Sequence, residues 1–503
     1  MAADTPTTDA THVDVLVVGA GIAGINAAHH LATERPDTTF LVLDALDNFG
    51  GTWWTHTFPG VRSDTEVFTL GYEHKPWTGA PYASGAEIHD YLGEVVADEG
   101  LADRIRTRHR VTAAAWSGDE QRWTLTVTRP VASDPDSTEE VTMTASFLWM
   151  CHGYYRHDEP HTPSWPGMDD FTGTWIHPQH WPADADLAGK KVVVIGSGAT
   201  AATLIPAIAD ECAHVTMLQR SPTYFFQSPN ADPLADELRA LDTPPEWVHH
   251  IVRRKAVDQM QGLTQVQADF PEAAKAGLIA MVAAELPEGY DVGTHFTPRH
   301  DPSDQRVCRL LDGDLFAAIR SGQVDVVTDE IETFTPEGVR TRQGTVLEAD
   351  VVVTATGFDL TVFGDVAFTV DGEPVDFARC VTHRGILFTG VPNMAWSFGA
   401  LRLSWTMRVE LVSRYVCRLL DHMDDLGATS VVPRLRPDDE GMALTPFVDP
   451  GQFSPGYLVR SAALVPRSGS VPEWQLSLDY WEERDVLPTA PLDDGCLVYS
   501  TGA

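Results

Sequence analysis

Apolar and polar positions follow two periods along this chain. Short apolar runs, Val13 to Val18 and Lys191 to Ile195, are nearly continuous rather than alternating. Such runs predict parallel strands buried on both faces. Each leads into a glycine cluster, Gly19-Ala20-Gly21-Ile22-Ala23-Gly24 and Gly196-Ser197-Gly198-Ala199-Thr200-Ala201. Each cluster opens an Ala-rich stretch of helical character, Ile22 to Leu31 and Ala199 to Ala209. A second apolar run follows each time, Thr39 to Leu43 and His214 to Leu218. Strand–turn–helix–strand therefore occurs twice, the context that makes a glycine pattern informative.

The pattern changes between the copies. Trp123-Thr124-Leu125-Thr126-Val127 alternates, which predicts an antiparallel meander broken by the Pro- and Asp-rich turn from Pro130 to Thr138. Asp232 to Leu286 reads as several helices, and its basic cluster His249-His250 with Arg253-Arg254-Lys255 as a solvated helix face. Val324 to Val353 returns to strand character and ends in Thr354-Ala355-Thr356-Gly357-Phe358-Asp359. Val409, Val412, Val416, Leu419 and Met423 recur at helical spacing and predict a core-facing helix.

Length and composition narrow the class. The 503 residues suggest two to four domains at about 100–200 residues each. The chain is 43% apolar and 21% charged, which argues against wholesale disorder. Lys and Arg total 35 against 72 Asp and Glu, a formal charge of −37. That charge argues against a nucleic-acid or membrane-surface role. The few lysines fit either salt adaptation or a genome that favours Arg codons. Cys151, Cys212, Cys308, Cys380, Cys417 and Cys496 form no C-x-x-C pair. That argues against a disulfide framework, a structural zinc site and a flavin disulfide reductase, and for a reducing cytoplasm. No run of about 20 apolar residues predicts a membrane span. Residues 1–11 lack the features of a signal peptide and are expected to be a disordered tail.

The glycine turns then acquire chemistry. Glycine admits positive φ and close approach of a pyrophosphate, and the helix N-terminus offers free N–H groups. Asp44 ends the second strand of the first copy, where a carboxylate accepts ribose hydroxyls and fits FAD or NAD. The second copy has Gln219-Arg220-Ser221 there, and an Arg fork beside a hydroxyl suits the 2′-phosphate of NADPH. Two nucleotide sites imply hydride transfer between a nicotinamide and a flavin.

Phe171-Thr172-Gly173-Thr174-Trp175-Ile176-His177-Pro178-Gln179-His180-Trp181-Pro182 resembles the FxGxxxHxxxWP signature of class B flavin monooxygenases of the Baeyer–Villiger type. Gly50-Gly51-Thr52-Trp53, Pro59-Gly60-Val61-Arg62-Ser63-Asp64, Gly153-Tyr154-Tyr155 and Ala355-Thr356-Gly357 are similar to that family as well. Asp304-Gln305-Arg306-Val307-Cys308 with Asp314-Leu315-Phe316 resembles the subgroup of the bacterial ethionamide-activating monooxygenase. The resemblance runs from about Val13 to about Asp494. It implies FAD reduced by NADPH, then O2 forming a C4a-peroxyflavin that inserts one oxygen beside a ketone carbonyl to give an ester or lactone. Sulfur or nitrogen oxygenation, an uncoupled NADPH oxidase and a flavin-binding scaffold without turnover are the competing readings.

The resemblance also implies roles for residues. Arg306 matches the catalytic arginine, Asp64 the carboxylate that orients it, and His177 a residue organising NADP binding and domain motion. Gly19, Gly21, Ala23, Gly24, Asp44, Gly51, Thr52, Trp53, Asp64 and Val111 would hold FAD. Arg62, Ser63, Asp64, Gly196, Ser197, Gly198, Ala199, Thr200, Ala201, Ala202, Arg220 and Ser221 would line the NADP site. His177 and His180 have no convincing ligand set around them, so no metal is expected. The chain departs from the subgroup at His300-Asp301-Pro302-Ser303, where relatives have Tyr-Asn-Pro-Trp, and at Gly399 to Trp405.

The expected fold is α/β with two Rossmann-like, three-layer nucleotide domains. Residues 12–160 and 350–503 would form a discontinuous FAD-binding domain, 161–230 and 296–349 the NADP-binding domain, and 231–295 a helical insertion within it. The expected partners are a small ketone or sulfide and O2, with a homo-oligomer left open.

Overall fold

A computed structural model describes residues 11–502. Thr11 already belongs to the first strand, Thr11–Val18; the rest of the expected tail lies outside the described residues. That strand pairs in parallel with Phe40–Leu43, and the helix Ile22–Glu34 connects them. The second copy repeats the unit with Lys191–Ile195, Ala199–Ile208 and His214–Gln219. Both predicted strand–turn–helix–strand units are therefore present.

Each unit seeds its own sheet. The first has nine strands and combines Thr11–Val18, Phe40–Leu43 and Ile105–Arg106 with Arg110–Ser117, Arg122–Val131 and Asp134–Met150. Strands from the C-terminal third, Ala367–Val370, Glu373–Pro374 and Met394–Trp396, complete it. The second has five parallel strands, in the order Val324–Thr328, His214–Gln219, Lys191–Ile195, Val351–Thr354 and Thr174–Ile176. In sequence, the second sheet lies wholly between the strands of the first.

Alternation within these strands divides the layers. Val15 and Val17 face one core, shared with Ile25, Leu92, Val412 and Val416 from three helices. Leu16 faces another, with Trp123, Leu125 and Val127 of the meander. In the second sheet, Val192 and Val194 meet the helix Ala199–Ile208 through Leu204 and Ile205. Val193 and Ile195 face Phe334 and Val339 of a three-stranded antiparallel sheet. The third layer is thus antiparallel strand rather than helix. The predicted core helix is Trp405–Leu426, and all five of its marker residues are buried. No helix among the described residues is long and apolar enough to cross a membrane.

Two local expectations need correction. The predicted break at Pro130 to Thr138 is mostly strand: Thr128 pairs with Glu140 and Pro130 with Thr138, so only the tip turns. Backbone pairing carries the ladder through a polar, exposed sequence. The basic cluster is not a solvated face. It lies on the helix Pro245–Asp269, whose inner stripe is Val248, His249, Val252, Arg253 and Ala256. Trp77 N donates to His249 Nδ1 at 3.1 Å. Arg253 donates to the carbonyls of Phe68 and Gly71 and, at 2.9 Å, to Glu410. Only His250 and Arg254 of the cluster face solvent. Charge alone does not decide exposure when carbonyls and a carboxylate await the guanidinium.

Candidate active site

The first glycine turn sits where the strand Thr11–Val18 ends. Gly19 has φ of +106°, and a Cβ there would lie 2.6 Å from the Cys151 carbonyl oxygen. Gly21 caps the helix Ile22–Glu34 without a side chain, so the helix N–H groups face open space. Asp44 is buried at the end of the next strand. Its carboxylate accepts from Ala20 N at 2.6 Å and Leu46 N at 2.8 Å. Burial pushes its pKa up, and those two donors oppose the shift.

These residues open onto one cleft, holding about 1660 Å³ of space with its mouth included. Gly19, Gly21, Ala23 and Asp44 line one end. Gly51, Thr52, Trp53 and Val111 line its flank. Ser63, Asp64 and Arg306 lie with them in the same cleft. Gly24 does not line it; a Cβ there would lie 1.8 Å from Gly19 O, so its role is to bring helix and turn together. A glycine cradle, a helix N-terminus and a buried carboxylate suit the pyrophosphate and ribose of FAD.

Within this cleft, Arg306 donates from Nη1 to Asp64 Oδ2 at 3.0 Å, although the two are 242 residues apart. Burial opposes the guanidinium charge, but the Asp64 carboxylate beside it outweighs that and raises its pKa. The Tyr154 and Tyr155 hydroxyls share a hydrogen bond of 2.7 Å. Burial pushes the Tyr155 pKa up, so its phenol stays protonated. Tyr154 stacks on Trp405 with centroids 5.0 Å apart, and Tyr155 packs on Phe358 at 4.2 Å. The result is a charged pair walled by aromatic rings and phenol donors.

Sequence reasoning assigned no role to Tyr154, Tyr155, Tyr457 or Trp405. The Gly153-Tyr154-Tyr155 motif was a signal for the first two. Nothing local marks Tyr457, which reaches the others only through the fold.

The second glycine turn lies apart from this cleft. Gly196 has φ of +129°, and a Cβ there would lie 2.2 Å from Ala355 O, so the Ala355-Thr356-Gly357 motif backs the turn. Gly198 caps the helix Ala199–Ile208 with no side chain. Ser197 Oγ hydrogen-bonds Thr223 Oγ1 at 2.9 Å, and the side chain of Thr200 is half-buried. Ala201 and Ala202 face the core, so only their backbone could serve a ligand. Gln219 is anchored by donating to His295 O and Thr328 Oγ1, while Arg220 and Ser221 are exposed beside it. Arg62 lies 2.7 Å from Asp314 and ties the Pro59–Asp64 loop to the helix Asp314–Arg320.

His177 does not line the cleft of Arg306 and Asp64. Its Nδ1 accepts from Gln179 N at 3.1 Å, capping a short turn. Burial pushes its pKa down to about 4. It is therefore neutral near pH 7.

A paired nucleotide-binding architecture around an arginine–carboxylate centre defines a flavoprotein oxidoreductase. The model of the pyridine nucleotide-disulphide oxidoreductases matches residues 13–275. FAD-containing monooxygenase EthA of Mycolicibacterium smegmatis is 44% identical, covering 97% of each chain. Its namesake from Mycobacterium tuberculosis is 42% identical, covering 96% of each. Cyclohexanone monooxygenase from Rhodococcus sp. Phi1, solved bound to NADP+, aligns with a TM-score of 0.74 at 22% identity, over 98% of this chain and 100% of that one. The chain belongs to the family that model describes and, more narrowly, to the FAD-containing monooxygenases. The six cysteines contain no C-x-x-C pair, and all are free and buried.

Proposed function

We propose that this enzyme uses NADPH and O2 to insert one oxygen atom beside a ketone carbonyl, giving an ester or lactone. The observation that carries this reading is the Arg306–Asp64 pair in the cleft that the first glycine turn lines. FAD, once reduced by NADPH, supplies the activation of O2. The first glycine turn and Asp44 hold the cofactor, and Arg220 with Ser221 selects the phosphorylated nicotinamide. Arg306 keeps a charge that cannot be lost near pH 7 and stabilises negative charge developing on oxygen. Asp64 aims the guanidinium. The aromatic rings around Tyr154 flank the pair on one side, and the pair itself faces the cleft.

We assign 12–160 and 350–503 to FAD, 161–230 and 296–349 to NADP, and 231–295 to the helical insertion; the two sheets and the helices between Pro233 and His295 support this division. The unpaired, buried cysteines support a reducing cytoplasmic setting. The substrate is a small ketone. Oxygen transfer to sulfur is the second reading, favoured by the protonated Tyr154–Tyr155 pair, which can supply a proton to the leaving oxygen.

Arg306→Ala tests the assignment. Oxygenated product should fall about 10²–10³-fold, the usual loss for one charge-stabilising donor. NADPH consumption should continue, with hydrogen peroxide replacing product. Undiminished product would remove Arg306 from the reaction. A ketone and a sulfide assayed side by side on the unaltered enzyme separate the two readings.

A further inference from the structure

Outside the lining of the cleft, the C-terminal strand Leu497–Ser500 pairs with Ser430–Pro433. Just before it, Asp494 and Cys496 meet His383, from the hairpin of Thr382–His383 and Leu387–Phe388. One ligating atom from each of the three lies within 4.8 Å of the others. His383 and Cys496 are both 0% exposed.

The cluster is unsatisfied as it stands. Both ring nitrogens of His383 and the Asp494 Oδ2 atom have no hydrogen-bond partner among the described residues. Arg384 Nη2 is 3.6 Å from that oxygen, too far for a hydrogen bond. The buried Tyr415 hydroxyl and Arg384 Nε are unpartnered too. Each orphaned buried polar group costs about 1–3 kcal/mol, so such a cluster calls for a missing partner. By contrast, His29 and His74 each already bond a Glu99 oxygen, at 2.9 and 3.0 Å. That second cluster satisfies itself.

We propose that His383, Asp494 and Cys496 bind one zinc-type transition-metal ion that staples the C-terminal strand to the hairpin. A thiolate, an imidazole and a carboxylate form a donor set suited to such an ion. Tetrahedral zinc holds sulfur and nitrogen at about 2.3 and 2.0 Å, which places them roughly 3.5 Å apart. Small side-chain rotations close the cluster to that spacing. Binding exchanges the Cys496 thiol proton, released to solvent, for the metal–sulfur bond. Thiolate and carboxylate together cancel the charge of a divalent ion, so Arg384 faces a neutral centre. Asp494 Oδ1 accepts from Cys496 N at 2.9 Å, which holds the carboxylate beside the thiol. Burial excludes the alternative of a Cys–His–Asp nucleophile, because no substrate reaches a thiol that is 0% exposed. The remaining coordination position falls to a water.

The test uses the full-length, FAD-loaded protein produced with zinc in the medium. Elemental analysis should find one zinc per chain. Cobalt exchanged for zinc should give tetrahedral d–d absorption at wavelengths beyond the flavin bands. Removing the metal with a strong chelator should lower the thermal midpoint by several degrees, and zinc should restore it. Cys496→Ser should lose at least nine-tenths of the metal while retaining FAD, and its midpoint should no longer respond to chelator or zinc. Cys212→Ser should keep the metal. Two results overturn the site: unaltered protein without stoichiometric metal and with no midpoint response to added zinc, or equal metal content in Cys496→Ser. The first would mean that water serves these atoms, and the second that the metal sits elsewhere. Neither outcome bears on the oxygenation reading.

Discussion

Arg220 and Arg306 carry the same charge, and their surroundings differ. Arg306 is engaged by Asp64 and walled by aromatic rings. Arg220 is exposed beside the second glycine turn, and no carboxylate pairs with it among the described residues. An unpaired guanidinium is available to a phosphate. A charge-assisted contact is worth about 1.5–3 kcal/mol, or roughly 10- to 100-fold in binding. Arg220→Ala should therefore raise KM for NADPH by at least about tenfold with little change in kcat, and leave KM for NADH nearly unchanged. Equal losses with both nicotinamides would show that Arg220 does not read the 2′-phosphate.

At the scale of elements, the two glycine turns make separable predictions. A side chain at Gly196 meets both an unfavourable φ and the Ala355 carbonyl. Gly196→Ala should yield protein that keeps its yellow flavin while reduction by NADPH slows at least about tenfold, since each 1.4 kcal/mol of misplacement is a factor of ten. Unchanged reduction, followed by stopped-flow absorbance, would contradict a nicotinamide site at this turn. The helix Pro245–Asp269 makes a second case. Arg253→Met leaves Glu410 buried without its partner, a defect costing about 3–5 kcal/mol. Urea unfolding should show that loss, and adding Glu410→Met should recover part of it. A midpoint unchanged by Arg253→Met would mean that the pair contributes nothing to docking this helix.

Across the whole molecule, buried histidines couple stability to pH. Burial pushes His56 and His249 down to about 4, from an ordinary value of 6.5. Below 6.5 the unfolded chain takes up protons that the folded chain refuses until about pH 4. Their contribution is therefore complete above pH 6.5 and is lost as pH falls toward 4. Each contributes at most about 1.4 kcal/mol per pH unit in that window. The urea midpoint should fall between pH 7.5 and pH 5, and His249→Gln should flatten the dependence. A flat profile in the unaltered protein would mean that these imidazoles are not held neutral.

Local pattern was sufficient for both nucleotide units, because a buried parallel strand, a glycine turn and an Ala-rich helix each leave their mark within about ten residues. The same holds for Asp44, placed by its distance from the glycines, and for the core stripe of Trp405–Leu426. Arg306 and Asp64 were legible only through motif resemblance, since nothing local says that residues 242 apart will meet. The tertiary structure alone decided that Tyr457 joins Tyr154 near that pair, that Arg253 turns inward, and that His383 meets Cys496. Sequence periodicity records which face of an element is apolar, whereas these contacts depend on which elements pack together. That choice is made by long-range burial and by the partners available to each polar atom once water is gone.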